Sequence, residues 1–100
     1  DIGSNDGTLL EGFKKNGFKV LGIEPTNIAK IANKKGIKTI QHFFEKNTVK
    51  LIKRNYKKAE VITGTNIFAH INKLDTLMKG VKSLLNTKSG IVTSQVVIQK

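Results

Sequence analysis

Apolar positions along this chain fall into two alternating rhythms. Leu9, Leu10 and Phe13 recur at helical spacing, with Glu11, Lys14 and Lys15 facing outward, which predicts a helix from Thr8 to Asn16 ended by Gly17. Phe18 to Glu24 is then nearly continuous in apolar character, as a strand covered on both faces requires. Pro25 cannot extend a strand ladder, and Thr26 and Asn27 are capping candidates for a second helix. The expected inward stripe of that helix is Ile28, Ala29, Ile31 and Ala32, and Gly36 stops it. Ile37 to Ile40 reads as a third strand, and Asn47 to Lys58 as a basic helix with Val49, Leu51, Ile52 and Tyr56 on its apolar side. A strand at Ala59 to Gly64 follows, then a helix from Leu74 to Leu85, then a β-branched strand from Ile91 to Ile98. Strand and helix in alternation at such short intervals predict an α/β fold, a doubly wound and mostly parallel sheet.

The stretch this pattern is built around lies at its start. Asp1-Ile2-Gly3-Ser4-Asn5-Asp6-Gly7 reads as a strand tip, a tight glycine turn and the start of the first helix. Gly3 and Gly7 carry no Cβ, so the backbone can approach a ligand closely, and the helix aims its free N–H groups over the turn. Asn5 stands where a third glycine is frequent, and asparagine tolerates positive φ. Asp1 places an acid at the strand tip. A pyrophosphate has little use for a carboxylate there, whereas a ligand carrying an amine does. Glu24 ends the second strand about 20 residues beyond the turn, the spacing that sets a carboxylate beside ribose hydroxyls in a strand–helix–strand unit. A glycine turn alone is weak evidence. Turn, helix and acid-tipped second strand together are stronger.

Other candidates sit where the topology brings strand ends together, since ligands in such sheets bind outside the carboxyl ends of the strands. Gln41-His42-Phe43-Phe44-Glu45 follows the third strand, and one phenylalanine is expected to face a ligand while the other packs in the core. Thr65 to His70 follows the fourth strand, with Asn66 able to hydrogen-bond a ligand and His70 able to reach reacting groups. Each also has a bland reading: Asn66 as a turn cap, and His70 as a partly buried histidine with a satisfied hydrogen bond.

Composition narrows the function classes. The formal net charge is +11 over 100 residues, which invites a nucleic-acid reading. Arg54 is the one arginine, however, and the lysines are dispersed along several helices. Readers of bases and phosphates favour the planar arginine fork, so solvated lysine faces are the better account and a nucleic-acid partner is not expected. The chain has no cysteine, which excludes disulfides and thiolate metal sites within it. His42 and His70 are joined by no carboxylate at ligand spacing, so no metal site is expected. No apolar run approaches the ~18 residues of a membrane span. A cytoplasmic domain without membrane association is the expectation. Opening inside a strand tip predicts that residues 1–100 are a partial domain whose flanking parts lie outside this sequence.

These residues resemble a known family. The turn of Asp1, Gly3 and Gly7 with Glu24 after the second strand is similar to that of class I S-adenosylmethionine-dependent methyltransferases, whose core is a Rossmann-like sheet. The closer resemblance is to sugar C-methyltransferases, which methylate a ring carbon of a nucleotide-linked deoxy-keto-sugar. It is carried by Asp1 to Gly7, by Gly22-Ile23-Glu24-Pro25, by Phe43-Phe44-Glu45, and by Asn66 with His70, in that order. The resemblance implies S-adenosyl-L-methionine as cofactor and a nucleotide sugar as substrate. It implies that Gly3, Ser4, Asn5 and Gly7 wrap the methionine part and ribose, that Asp1 faces the amino group, and that Glu24 holds the ribose hydroxyls. Pro25 and Phe43 would flank adenine, Asn66 would lie near the methionine carboxylate or sulfonium, and His70 would face the sugar as a candidate base. Carbon beside a ketone becomes nucleophilic only once a base removes its proton. Two departures stand out. His42 occupies a position where the family often has an aspartate for the adenine amine, and Thr93-Ser94-Gln95 replaces a glutamate-containing step.

Competing readings keep other chemistry in view. The methyl acceptor could be another small molecule, a protein or RNA. A nicotinamide-dinucleotide oxidoreductase domain would share the topology, but Asp1 and the non-glycine Asn5 argue against it. A nonenzymatic nucleic-acid-binding module would betray itself by steep salt dependence.

Overall fold

The fold comes from a computed structural model of the chain. It describes residues 1–64, 74–85 and 91–92, with the side chains of Leu74, Ile91 and Val92 left aside. The chain divides into two compact units, Asp1–Phe43 and Phe44–Lys100.

The first unit is a strand–helix–strand–helix–strand run. Helix α1 spans Thr8–Lys15, strand β1 Gly22–Ile23, helix α2 Ile28–Lys34 and strand β2 Thr39–Ile40. β1 lies in the middle. It pairs in parallel with β2, Gly22 opposite Thr39 and Ile23 opposite Ile40, and Ile2 at the tip of the first strand bridges Ile23 in parallel on the other side. The Gly3 N–H donates to the Ile23 carbonyl at 2.8 Å, and the Glu24 N–H donates to that of Ile40 at 3.0 Å. All three chain segments therefore end at the same edge, and the turn from Gly3 to Gly7 stands beside Glu24.

Small residues make this packing tight. Leu10, Ala32 and Ile37 form the buried centre, with Val20 against them. α2 turns Ala29 and Ala32 inward, both fully buried, while Ile28 and Ile31 are left exposed. This narrows the expected four-residue stripe to its two alanines. The reason is spatial: a Cβ on Gly7 would stand 3.3 Å from Ala32 Cβ, so the helix is held too close to the turn for larger side chains on that face. Asn33 pins β2 to α2: its Nδ2 donates to the Thr39 carbonyl and its Oδ1 accepts the Thr39 N–H. Phe18 also departs from expectation. It lies outside β1 and is exposed, its ring edge-on to Phe13 with centroids 5.9 Å apart. The aromatic partner at the end of α1 holds it away from the ladder.

The second unit contains α3 Lys46–Asn55, β3 Val61–Ile62, α4 Leu74–Leu84 and β4 Ile91–Val92. β3 and β4 pair in parallel, Val61 opposite Ile91. Thr48, Ile52, Ile62, Val81 and Leu84 are buried. Val49, Leu51 and Tyr56, assigned to the apolar side of α3, are half-buried, and Met78 on α4 is exposed. A Cβ on Gly80 would fall 2.9 Å from the Phe44 ring and 3.0 Å from Val49, so this glycine lets the ring and α4 meet. Both units show the α/β alternation with parallel pairing that the sequence predicts, through shorter strands than its apolar runs. Among the described residues, no helix is long and apolar enough to cross a membrane.

Candidate functional site

The turn after the first strand alternates its backbone handedness. Gly3, Asn5 and Gly7 all have positive φ, at 75°, 53° and 82°. Asn5 is the one described non-glycine residue in that region, as its side-chain type allows. Residues of alternating hand point successive N–H groups toward one side, the geometry of a backbone nest. The turn is tied down at both ends. Gly3 and Ser4 N–H both donate to the Ile23 carbonyl, and Gly7 N–H donates to that of Ser4. Gly7 is doubly required, since a Cβ there would also stand 3.0 Å from Ile37 Cγ2.

Ser4 faces the other way. It is buried, and its hydroxyl has no hydrogen-bond partner. Its Oγ lies where a Cβ on Gly22 would fall, at 2.4 Å. The Ser4 side chain therefore packs under the turn against β1, while its N–H and carbonyl are engaged by Ile23 and Gly7. Gly22, the first residue of the Gly-Ile-Glu-Pro segment, is a glycine because Ser4 and Leu10 fill the space above it.

Glu24 is buried, and its carboxylate is already at work. Oε1 accepts the Asn5 N–H at 2.9 Å; Oε2 accepts the Thr26 N–H at 3.0 Å and the Thr26 hydroxyl at 2.7 Å. A buried carboxylate needs such donors, and here they come from the turn and from the residue leading into α2. The same local device occurs at Asp6. Its Oδ1 accepts the Thr8 N–H at 3.1 Å and the Thr8 hydroxyl at 2.7 Å. These bonds, the hydroxyl first, pull the Asp6 carboxyl below its ordinary value, although the side chain is exposed to water. Both are acid-x-Thr steps. That pattern, Asp6-Gly7-Thr8 and Glu24-Pro25-Thr26, is the signal by which sequence reasoning could have found the roles of Asp6 and Thr26.

The remaining expected residues fall as follows. Asp1 is half-buried at the strand tip, its carbonyl accepting the Ile23 N–H and its nitrogen donating to the Leu21 carbonyl. Pro25 is half-buried directly after Glu24. Phe43 is two-thirds exposed, whereas Phe44 is half-buried against Gly80, so the pair divides into one open and one packed ring. His42 is exposed. Asn66 and His70 lie outside the described residues. The structure thus brings Asp1, Gly3, Asn5, Gly7 and Glu24 to one edge of the first unit.

The arrangement offers a ligand the buried Glu24 carboxylate as acceptor and the first turn of α1 as donor. The amides of Leu9 and Leu10 in the first turn of α1 have no partner within the helix, while Thr8 N–H is already met by Asp6. Two carboxylates, Asp6 and Glu24, flank the turn, which disfavours a doubly charged pyrophosphate at the same place.

A family model described as a methyltransferase domain matches residues 1–99. The C-methyltransferase NovU of Streptomyces niveus is 35% identical over 86 residues, which cover 85% of this chain and 20% of that protein. The chain thus spans about a fifth of the length of this curated relative. An acid-tipped glycine turn, a second acid clasping it, and a family match over nearly the whole chain converge: this chain belongs to the methyltransferase-domain family, as a class I methyltransferase related to C-methyltransferases.

Proposed function

We propose that this chain is the S-adenosylmethionine-binding core of an enzyme that methylates carbon, with a nucleotide-linked deoxy-keto-sugar as acceptor. The observation that carries the donor assignment is the bond from the Asn5 amide to Glu24, which joins the glycine turn and the second acid into one unit. In this reading the backbone of Gly3, Ser4, Asn5 and Gly7 lies along the methionine part and ribose. Asp1 faces the amino group, Glu24 receives a ribose hydroxyl, and Pro25 with the open ring of Phe43 lies against adenine. Asn66 is assigned to the methionine end and His70 to the sugar side as a proton acceptor. When bound, the cofactor supplies an electrophilic methyl group on a sulfonium. The chain's own residues hold and orient it, and orientation supplies much of the rate in such a transfer.

The acceptor assignment rests on the resemblance of Asp1–Gly7, Gly22–Pro25, Phe43–Glu45 and the Asn66/His70 pair, together with the similarity to NovU, a C-methyltransferase. Calorimetric titration with S-adenosylmethionine and NAD in parallel tests the donor site. Micromolar binding of the methyl donor with no uptake of NAD is expected, and the reverse order would sink the reading. Turnover of the full-length protein on nucleotide-linked keto-sugars, set against protein and RNA substrates, then tests the acceptor.

A further inference from the structure

We infer that Thr26 is a positioning residue for the cofactor ribose, acting through Glu24. The inference rests on the reading of Glu24 as the ribose acid. An ionised carboxylate offers about four lone-pair sites. Three are filled by the chain: the Asn5 N–H on Oε1, and the Thr26 N–H and hydroxyl on Oε2. Oε2 is thereby saturated, and Oε1 keeps the one acceptor position left for a ligand hydroxyl. Thr26 determines which oxygen that is. Its hydroxyl also accepts the Ile28 N–H at 3.3 Å, so the first turn of α2, Thr26, Glu24 and the Asn5 amide form one connected chain of donors and acceptors. Each bond polarises the next, and the hydroxyl is oriented to donate to Glu24 because its lone pair is engaged by the helix.

Thr26 is exposed, whereas the carboxylate it holds is buried. Without the threonine hydroxyl, Oε2 loses its shortest bond, and only the Asn5 and Thr26 amides restrain the carboxylate about its last torsion, a broad and soft one. The diol would then meet a group that must be ordered on binding, and the benefit of the hydroxyl contact would fall. Serine keeps the hydroxyl and valine keeps the shape, so the two substitutions separate the bond from the packing.

The test compares the affinity of the full chain for S-adenosylhomocysteine with that for its 2′,3′-dideoxy analogue. The ratio of the two dissociation constants isolates the diol, because damage elsewhere weakens both ligands together. The ratio is expected to drop about three- to ten-fold in Thr26→Val and to return to the starting value in Thr26→Ser. Thr26→Ala serves as a second hydroxyl-free variant should the β-branched valine fold poorly, and saturable binding of the parent ligand verifies the fold of each. An unchanged ratio in both Thr26→Val and Thr26→Ala would overturn the positioning role while leaving the ribose reading of Glu24 intact. A ratio near one in the unsubstituted chain would overturn the ribose reading itself, and this inference with it.

Discussion

The backbone amide of Asn5 donates to Glu24 Oε1 at 2.9 Å, across 19 positions of sequence. Asn5 stands in the left-handed region at φ 53°, and the carboxylate that meets it is buried at the tip of β1. The turn is therefore fastened to the second strand by a charged acceptor, independently of any ligand. Preorganisation of this kind lowers the ordering cost of binding.

Glu24→Gln tests that fastening. Glutamine keeps one acceptor oxygen but presents an NH2 group to donors on its other side, leaving either the Asn5 or the Thr26 amide unmet. Hydrogen bonds to a charged group contribute about 1.5–3 kcal/mol, so a loss of about 2 kcal/mol is expected. At about 4–8 °C per kcal/mol for a chain of this size, scanning calorimetry would read a fall in Tm of roughly 8–16 °C. A shift below about 2 °C would mean that the buried carboxylate contributes little to holding the turn.

Gly7 and Gly12 make a matched pair for substitution by alanine. At Gly7 the φ of 82° disfavours any side chain, and the new Cβ would stand 3.0 Å from Ile37 Cγ2 and 3.3 Å from Ala32. Left-handed strain of about 1–2 kcal/mol plus overpacking should cost about 3 kcal/mol in all. Gly12 lies inside α1 with open space around it. Its replacement should stabilise by about 1 kcal/mol through helix propensity. Denaturant midpoints measure both, and effects of the same sign would contradict the packing described for the turn.

Much of this was legible in the sequence, and the misses have physical causes. The glycine turn, the acid after the second strand and the division of Phe43 from Phe44 follow from residue type and spacing, because only particular residues suit a left-handed turn or a strand edge. Periodicity makes the inward stripe of α2 wider than the structure does. Hydrophobicity alone favours Ile28 and Ile31 over Ala29 and Ala32, whereas the structure selects by size, since α2 must approach Gly7. The inward turn of Ser4 was not legible either: its orientation depends on Gly22, 18 residues away, and no local pattern signals a contact of that range. Thr26 read as a helix cap, and it does accept the Ile28 N–H, but its shorter bonds go to Glu24. The Rossmann-like doubly wound arrangement is carried in part, by parallel pairing within each unit.

Acid should loosen the start of α1 through Asp6. Its folded carboxyl is held below the ordinary value of 3.8, by the Thr8 hydroxyl first and the Thr8 amide next. A group depressed in the folded state contributes stability above its unfolded value and loses it as pH falls through the folded one. The contribution is therefore complete at neutral pH and disappears below about pH 4. Asp6→Asn keeps an acceptor for Thr8 but cannot titrate, so its Tm should fall less than that of the unsubstituted chain between pH 5 and pH 2. Parallel acid limbs in the two proteins would show that Asp6 takes no part in acid loosening.

Ser4 and Gly22 should be coupled. Gly22→Ala places a methyl 2.4 Å from Ser4 Oγ, 3.0 Å from its Cβ and 3.1 Å from Leu10 Cδ1. Overpacking against a buried strand costs about 1–3 kcal/mol. Ser4→Ala on its own removes a buried hydroxyl that has no partner, so it should be neutral or slightly stabilising. Combined, the two substitutions remove the worst overlap but keep the contacts with Ser4 Cβ and Leu10, and recovery of about half the Gly22→Ala loss is expected. A double-mutant cycle on denaturant-derived stabilities reads this as an interaction of about 1 kcal/mol. Additive effects would mean that the Ser4 hydroxyl does not lie over Gly22, and the side chain would then be available to the open side of the turn. In that event Ser4→Ala would also weaken S-adenosylmethionine binding, whereas the packing described here predicts an unchanged affinity, because the Ser4 hydroxyl is turned against Gly22.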